Sequence, residues 1–166
     1  HHRYMAFQTV WYFSDLPEKV VDLIEKEVSD ESTLPDSHWV GGFVWHYIKR
    51  ANQENFCYNL SHLDNNSIKL KVYNEGDGQT WHVDAKPVEE GEEEVRKISF
   101  TVQLSDFDEY EGGNVQFLDE AGGKYYMPRN RGCIALFDSR AQHRVQKVTK
   151  GTRKSLVGWC VGPNWN

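Results

Sequence analysis

The sequence predicts a mainly β protein, an antiparallel sandwich or jelly roll faced by N-terminal helices. Three observations carry this. Apolar residues recur at helical spacing only in the first third of the chain. From Ser67 onward the period drops to two, and glycine pairs and short polar turns punctuate the β region.

Taken in order, Ser14-Asp15-Leu16-Pro17-Glu18 reads as a helix start: a capping candidate, then proline, then an acidic first turn. Val20, Val21, Leu23, Ile24 and Val28 then fall on one helical face through Glu27. Residues 30–38 are polar and contain proline, hence a loop. The stretch from Gly41 to Ala51, with Phe43, Val44, Tyr47 and Ile48, predicts a second helix. His46 lies on it and reads as an ordinary packed or exposed histidine. Ile68, Leu70 and Val72 alternate with Lys69, Lys71 and Tyr73 in a strand, and Glu75-Gly76-Asp77-Gly78 turns the chain into the next one, over 81–85. Residues 98–104 alternate strictly. Gly112-Gly113 precedes a strand over 114–118 and Gly122-Gly123 one over 124–127; strands over 132–138, 144–148 and 155–161 complete the series. With no repeat or linker, one domain over 1–166 is expected. Residues 1–4 read as a tag remnant and Met5 as the native start, so His1 and His2 stay outside the functional argument.

Composition narrows the function classes. The 166 residues are 39% hydrophobic and 13% aromatic, enough for a packed core. A net charge of −6 argues against a broad phosphate-binding surface, so nucleic acid is not the expected partner. Cys57, Cys133 and Cys160 are scattered and odd in number, which points to reduced thiols in a cytoplasmic setting. No stretch approaches the about 20 apolar residues of a membrane span. The acidic block from Glu89 to Glu94 reads as a solvated, mobile loop or a lid beside the site.

The chemistry concentrates in His82-Val83-Asp84. On an extended strand, residues two apart point to one face. Far downstream, His143 stands at the start of another strand, after Phe137-Asp138-Ser139-Arg140. Two imidazoles and a carboxylate, with no thiolate nearby, form the donor set that holds Fe(II) on one face and leaves positions open. Arg153 follows in Gly151-Thr152-Arg153-Lys154-Ser155. Alternation puts Arg153, Ser155, Val157, Trp159 and Val161 on one face, with Lys154, Leu156, Gly158 and Cys160 on the other. A planar guanidinium beside a hydroxyl suits a carboxylate held bidentately, such as the far end of a metal-chelating 2-oxo acid. Lys154 is expected in solvent. Trp81, Arg129, Arg131 and Arg140 are candidates for the mouth of the site or for plain surface.

From Tyr73 to Trp159, roughly half the chain, these motifs stand in the order of a known family. The run is Tyr73, His82-Val83-Asp84, Gly112-Gly113-Asn114 before Phe117, Pro128 and Gly132 before Phe137, then His143, Val148, Gly151, Arg153 and Trp159. The sequence resembles the iron(II)/2-oxoglutarate-dependent dioxygenases of the prolyl 4-hydroxylase-like branch, in the small form found in marine phages. That resemblance implies a double-stranded β-helix (jelly roll, cupin-like) core. It implies Fe(II) on His82, Asp84 and His143, with 2-oxoglutarate and O2 as co-substrates and ascorbate as a candidate reductant. Arg153, Ser155, Tyr73 and Trp159 are then co-substrate residues, joined by Gln103 where relatives have a tyrosine. Arg153 stands where many prolyl hydroxylases have lysine. The resemblance further implies hydroxylation of a C–H bond, on a prolyl or other peptide side chain or on a small molecule, with succinate and CO2 as co-products. Family halogenases lack the carboxylate ligand, so Asp84 favours hydroxylation. The setting would be the cytoplasm, that of the host if the chain is phage-encoded.

Two alternatives are weighed. A nucleic-acid demethylase of the same superfamily carries a second arginine six residues after the first; here that position is Trp159. A non-catalytic jelly-roll module would have no need of the complete ligand set and clamp.

Overall fold

The computed structural model describes residues 11–28, 33–35, 37–85 and 93–165. In chain order the strands are β1 (Trp11–Asp15), β2 (Thr33–Leu34), β3 (His62–Leu63), β4 (Ile68–Tyr73), β5 (Gln79–His82), β6 (Glu94–Gln103) and β7 (Tyr110–Gly112). They continue with β8 (Val115–Leu118), β9 (Lys124–Tyr126), β10 (Cys133–Asp138), β11 (His143–Val145), β12 (Val148–Gly151) and β13 (Arg153–Pro163). Helices α1 (Glu18–Glu27) and α2 (Trp39–Ala51) lie between β1 and β3, and α2 runs on into a π turn over Asn52–Phe56.

The large sheet has the order β1-β10-β6-β13-β4-β2, with β3 also paired to β13. A smaller sheet, β5-β11-β8-β9, lies against its inner face, and β12 pairs with β7. Two cores follow from alternation. Ile68, Leu70, Ile98, Val102, Ile134, Leu136, Leu156 and Cys160 face the helices and bury Val21, Ile24, Val40, Val44 and Ile48. Tyr73, Ala135 and Phe137 face the small sheet and pack with Val115, Phe117 and Val145. Every central strand is thus covered on both sides, which leaves the mouth between the sheets as the place where polar chemistry meets solvent.

Several boundaries differ from the sequence expectation. Ser14 and Asp15 are the end of β1 rather than a helix cap. Trp11-Tyr12-Phe13 are strong strand formers, and the segment pairs with β10 (Trp11↔Phe137 to Asp15↔Cys133). The first helix begins at Glu18, with Pro17 in the capping position and no side-chain cap. Leu23 is 50% exposed, so the buried stripe is Val21, Ile24 and Val28. The second helix starts earlier than expected because the His38 ring accepts the Val40 N–H at 3.2 Å and caps it. Within the expected loop, Thr33-Leu34 pairs with β4. The expected strand over 144–148 is two strands, β11 and β12. Of the acidic block, residues 89–92 lie outside the described residues. Glu94 opens β6, exposed and 3.1 Å from His62 Nε2.

Gly151 sits at φ +79°, and a Cβ there would stand 2.2 Å from the Glu109 carbonyl oxygen. Gly151→Ala is therefore expected to destabilise by about 2–4 kcal/mol, read as a lower urea midpoint, because the backbone must leave the left-handed region or push β7 away.

All three cysteines are free. Burial pushes the thiols of Cys133 and Cys160 up to about 12, while Cys57 is exposed. In an Ellman titration at pH 8 the native protein is expected to react at Cys57 alone, and after denaturation at all three thiols.

Candidate metal centre

A cavity of about 300 Å³ opens between the two sheets and contains His82, Asp84 and His143 together with Arg153. His82 ends β5 and His143 begins β11, and the two are register partners. Their rings lie 4.1 Å apart. Asp84 is not on the strand, contrary to the alternation argument. β5 stops at His82, Val83 turns outward at 43% exposure, and the backbone N–H groups of Asp84 and Ala85 both donate to the Ser139 carbonyl, at 2.9 and 2.8 Å. This anchorage beside β10 swings the carboxylate back over the histidines.

Each ligand has one atom tied and one free. His82 Nδ1 lies 2.7 Å from the Thr80 carbonyl and His143 Nδ1 3.0 Å from the Ala141 carbonyl. A carbonyl only accepts, so both Nδ1 atoms carry a proton and Nε2 is the nitrogen each ring turns toward the centre. Those Nε2 atoms point at one atom, Asp84 Oδ1, at 3.5 Å from His82 and 3.4 Å from His143. The other carboxylate oxygen, Oδ2, accepts from Trp159 Nε1 at 3.0 Å. Two imidazole nitrogens and one carboxylate oxygen thus converge, within 4.8 Å of one another, with their outer atoms fixed. This is a borderline-to-hard set that fits a divalent first-row ion with open positions. Among the described residues no other group of this kind occurs. His38 pairs with Glu27, His46 is exposed on α2, and His62 lies beside Glu94.

Ionisation agrees with this. Burial lowers the His82 pKa, opposed by the Thr80 hydrogen bond and Asp84, while the charges of His143 and Lys71 lower it further. The lowering favours the neutral ring, the form that binds a metal. Burial alone would raise the Asp84 carboxyl, but the hydrogen bond and charge of His143 and the donors Ser99 and Trp159 outweigh it and hold it at about 2.

Arg153 lines the same cavity as a buried charge, 1% exposed. Its Nε donates to Gln103 Oε1 at 3.2 Å, and its guanidinium lies 5.4 Å from the Tyr73 ring centroid. Its Nη2 is buried with no hydrogen-bond partner among the described residues. Burial lowers its pKa against the opposing influence of Tyr110 and Tyr73, yet a guanidinium stays protonated in a protein. A buried cation with an orphaned donor at the closed end of a cavity fits the terminal carboxylate of an elongated ligand.

The remaining expected site residues fall as follows. Tyr73 and Ser155 line the cavity beside Arg153, and Val157 and Trp159 continue the same face. Lys154 is exposed. Val161 leaves that face because a register shift against β6 falls between Cys160 and Val161. Gln103 is not on the cavity wall. It sits behind Arg153, donating to the Ser105 carbonyl and the Tyr110 hydroxyl at 3.1 and 2.8 Å, so it orients the arginine rather than meeting a ligand. Arg129, Arg131 and Arg140 are structural. Arg129 bonds the Gly112 carbonyl and Asn114, Arg131 pairs with Asp22 and Glu25, and Arg140 pairs with Asp138. Trp81 lies under Arg144. Sequence reasoning missed Lys69, Lys71 and Arg96, which also line the cavity. For the lysines the signal was available, since alternation puts them on the face of Tyr73.

The sequence model of the 2OG-Fe(II) oxygenase superfamily matches residues 68–161, a span that contains every cavity ligand just described. The chain belongs to that superfamily. Membership implies Fe(II), 2-oxoglutarate and O2, and the donor set and the orphaned arginine fit the first two. Among curated relatives the oxygenase is similar to a PKHD-type hydroxylase of Synechococcus sp. (strain CC9902), 39% identical over 94 residues, 56% of this chain and 40% of that protein. Another, from Idiomarina loihiensis, is 39% identical over 62 residues, 37% of this chain and 28% of its own length. The chain thus spans less than half of these relatives. Among solved structures its fold resembles a Pseudomonas putida prolyl-4-hydroxylase, with TM-score 0.71 and 18% identity over 94% of this chain and 89% of that one. It also resembles a viral collagen prolyl hydroxylase from Paramecium bursaria Chlorella virus-1, with TM-score 0.69 and 15% identity over 95% and 97% of the two chains. The architecture is therefore the jelly roll of these oxygenases. No helix among the described residues is long and apolar enough to cross a membrane.

Proposed function

We propose that this oxygenase hydroxylates a C–H bond of a peptide or protein side chain, proline first, with succinate and CO2 as co-products. The observation that carries the reading is the pairing, in one cavity, of three converging ligand atoms with a buried arginine whose Nη2 has no partner. With iron and 2-oxoglutarate bound, the site supplies oxidation of a substrate C–H bond by O2 coupled to decarboxylation of the co-substrate. The chain's own part is placement. His82 and His143 present Nε2 and Asp84 presents Oδ1. Trp159 keeps Asp84 from rotating, and Arg153, flanked by Ser155 and Tyr73 and aimed by Gln103, takes the distal carboxylate. Val115, Phe137, Val145 and Val157 form apolar walls that keep water from the reacting atoms. The retained carboxylate ligand and the similarity to PKHD-type hydroxylases favour hydroxylation, and the fold likeness to solved prolyl hydroxylases supports a prolyl side chain as the first substrate to try. We place the activity in a reducing, cytoplasmic setting, which three free thiols support, with ascorbate as the reductant that keeps iron ferrous.

The test is succinate release from 2-oxoglutarate in the presence of Fe(II), ascorbate and proline-containing peptides, with mass spectrometry of the peptides. The expected result is iron-dependent succinate and a peptide heavier by one oxygen atom. Fold retention with no iron- or 2-oxoglutarate-dependent turnover would overturn the reading.

A further inference from the structure

The mouth of the cavity is more basic than the chain that builds it. Lys69, Lys71 and Arg96 all line it, although the sequence carries a net charge of −6. The two lysines stand on β4 opposite Val157 and Ser155, on the face that carries Tyr73 and Arg153. Their ammonium groups lie over the rings of Trp159 and Tyr73, at 5.9 and 6.0 Å. The Arg96 guanidinium lies 4.0 Å from the Trp159 ring centroid, and its Nε is 3.6 Å from Asp64. All three are half-buried.

A charge count says what these cations are not for. A divalent iron, the Asp84 carboxylate, the Arg153 guanidinium and a doubly negative 2-oxoglutarate sum to zero. The bound co-substrate therefore leaves these three cations over, and among the described residues the ion pair they make is that of Arg96 with Asp64. They are also strung out rather than clustered. Lys69 and Lys71 are two residues apart on a strand, roughly 7 Å, and Arg96 stands beyond Trp159 on a different strand. That row suits negative charges spaced along an extended chain better than a single small anion.

We infer that the substrate is an acidic peptide, whose carboxylates lie along Lys69, Lys71 and Arg96 while the reacting side chain enters the cavity. This rests on the hydroxylase reading above. A nucleic acid would also offer anions, but three cations on a chain of net charge −6 do not make a phosphate track.

The experiment uses fluorescent peptides with one proline flanked by Glu, Gln or Lys, and a single-stranded oligonucleotide of similar length. Binding to the chain loaded with manganese and 2-oxoglutarate is read by anisotropy without oxygen, so it does not depend on turnover. The Glu-flanked peptide is expected to bind about 5- to 30-fold more tightly than its Gln counterpart, with a preference that fades as salt rises. Lys69→Gln with Lys71→Gln should remove that preference, whereas Lys154→Gln, exposed on the opposite face, should leave it in place. Lys71→Glu should shift the preference toward the Lys-flanked peptide. Equal binding of the Glu and Gln peptides, or tighter binding of the oligonucleotide, would overturn the inference, as would a preference that survives in the double variant. Failure of the hydroxylase reading looks different: the acidic preference would stand with no succinate formed under aerobic conditions.

Discussion

Replacing His143 by alanine is expected to abolish iron-dependent succinate formation and weaken metal binding by more than about a hundredfold, since loss of an outer hydrogen-bond partner alone typically costs 10- to 100-fold. The reason is the convergence on Asp84 Oδ1. With His143 gone, one of the two converging Nε2 atoms disappears and the Asp84 carboxylate loses the group that does most to lower its pKa. Asp84→Ala should do the same by removing the only anionic ligand of the three. Trp159→Phe is the informative contrast. It leaves all three ligands but frees Oδ2, so manganese affinity should fall only about 10- to 100-fold. Calorimetric titration of manganese into the apo protein, with circular dichroism to confirm the fold, measures all three. His143→Ala binding manganese as the unsubstituted chain does would remove it from the centre.

Arg153→Ala is expected to keep the fold and the metal yet lose about 30- to 5000-fold in 2-oxoglutarate affinity, the consequence of removing one partner of a desolvated charge pair at about 2–5 kcal/mol. The environment sharpens the prediction. Arg153 is 1% exposed, its Nη2 is orphaned, and the groups around it are phenols rather than carboxylates. Without co-substrate it is therefore a burden on the fold. Arg153→Met, similar in length and apolar, should raise apo stability by about 1–3 kcal/mol, the usual desolvation cost of an unsatisfied buried polar group, while abolishing the stabilisation that 2-oxoglutarate confers. Arg153→Lys should bind partially, because charge survives without the planar fork. Lys154→Ala, exposed on the opposite face, should be silent. Anaerobic titration followed by metal-to-ligand absorbance gives the affinities, and thermal unfolding with and without 2-oxoglutarate gives the stability arm. Equal affinity in Arg153→Ala would leave the co-substrate end of the cavity unassigned.

Alternation along one strand is a property of the chain itself, so the sequence alone determined that Arg153, Ser155, Val157 and Trp159 share a face, and that Lys154 does not. The same local rule legibly separated the apolar set Ile68, Leu70 and Val72 from Lys69, Lys71 and Tyr73, although it said nothing about which set meets a cavity. Residue type alone marked His82, Asp84 and His143 as a donor set. The rest belongs to contacts between distant segments. Asp84 reaches its position because the Ser139 carbonyl draws the chain off β5, not because it lies on the strand. The Nε2 atoms face the centre because the Thr80 and Ala141 carbonyls claim Nδ1. Trp159 reaches Asp84 across 75 positions of chain, and Gln103 stands behind Arg153 rather than beside a ligand because β6 and β13 are neighbours. β1 escaped notice for the same reason, since an edge strand of five residues takes its identity from its partner β10. Periodicity reports only which side of a strand a residue occupies. The atom it meets there depends on strand order and register, which long-range hydrogen bonding decides.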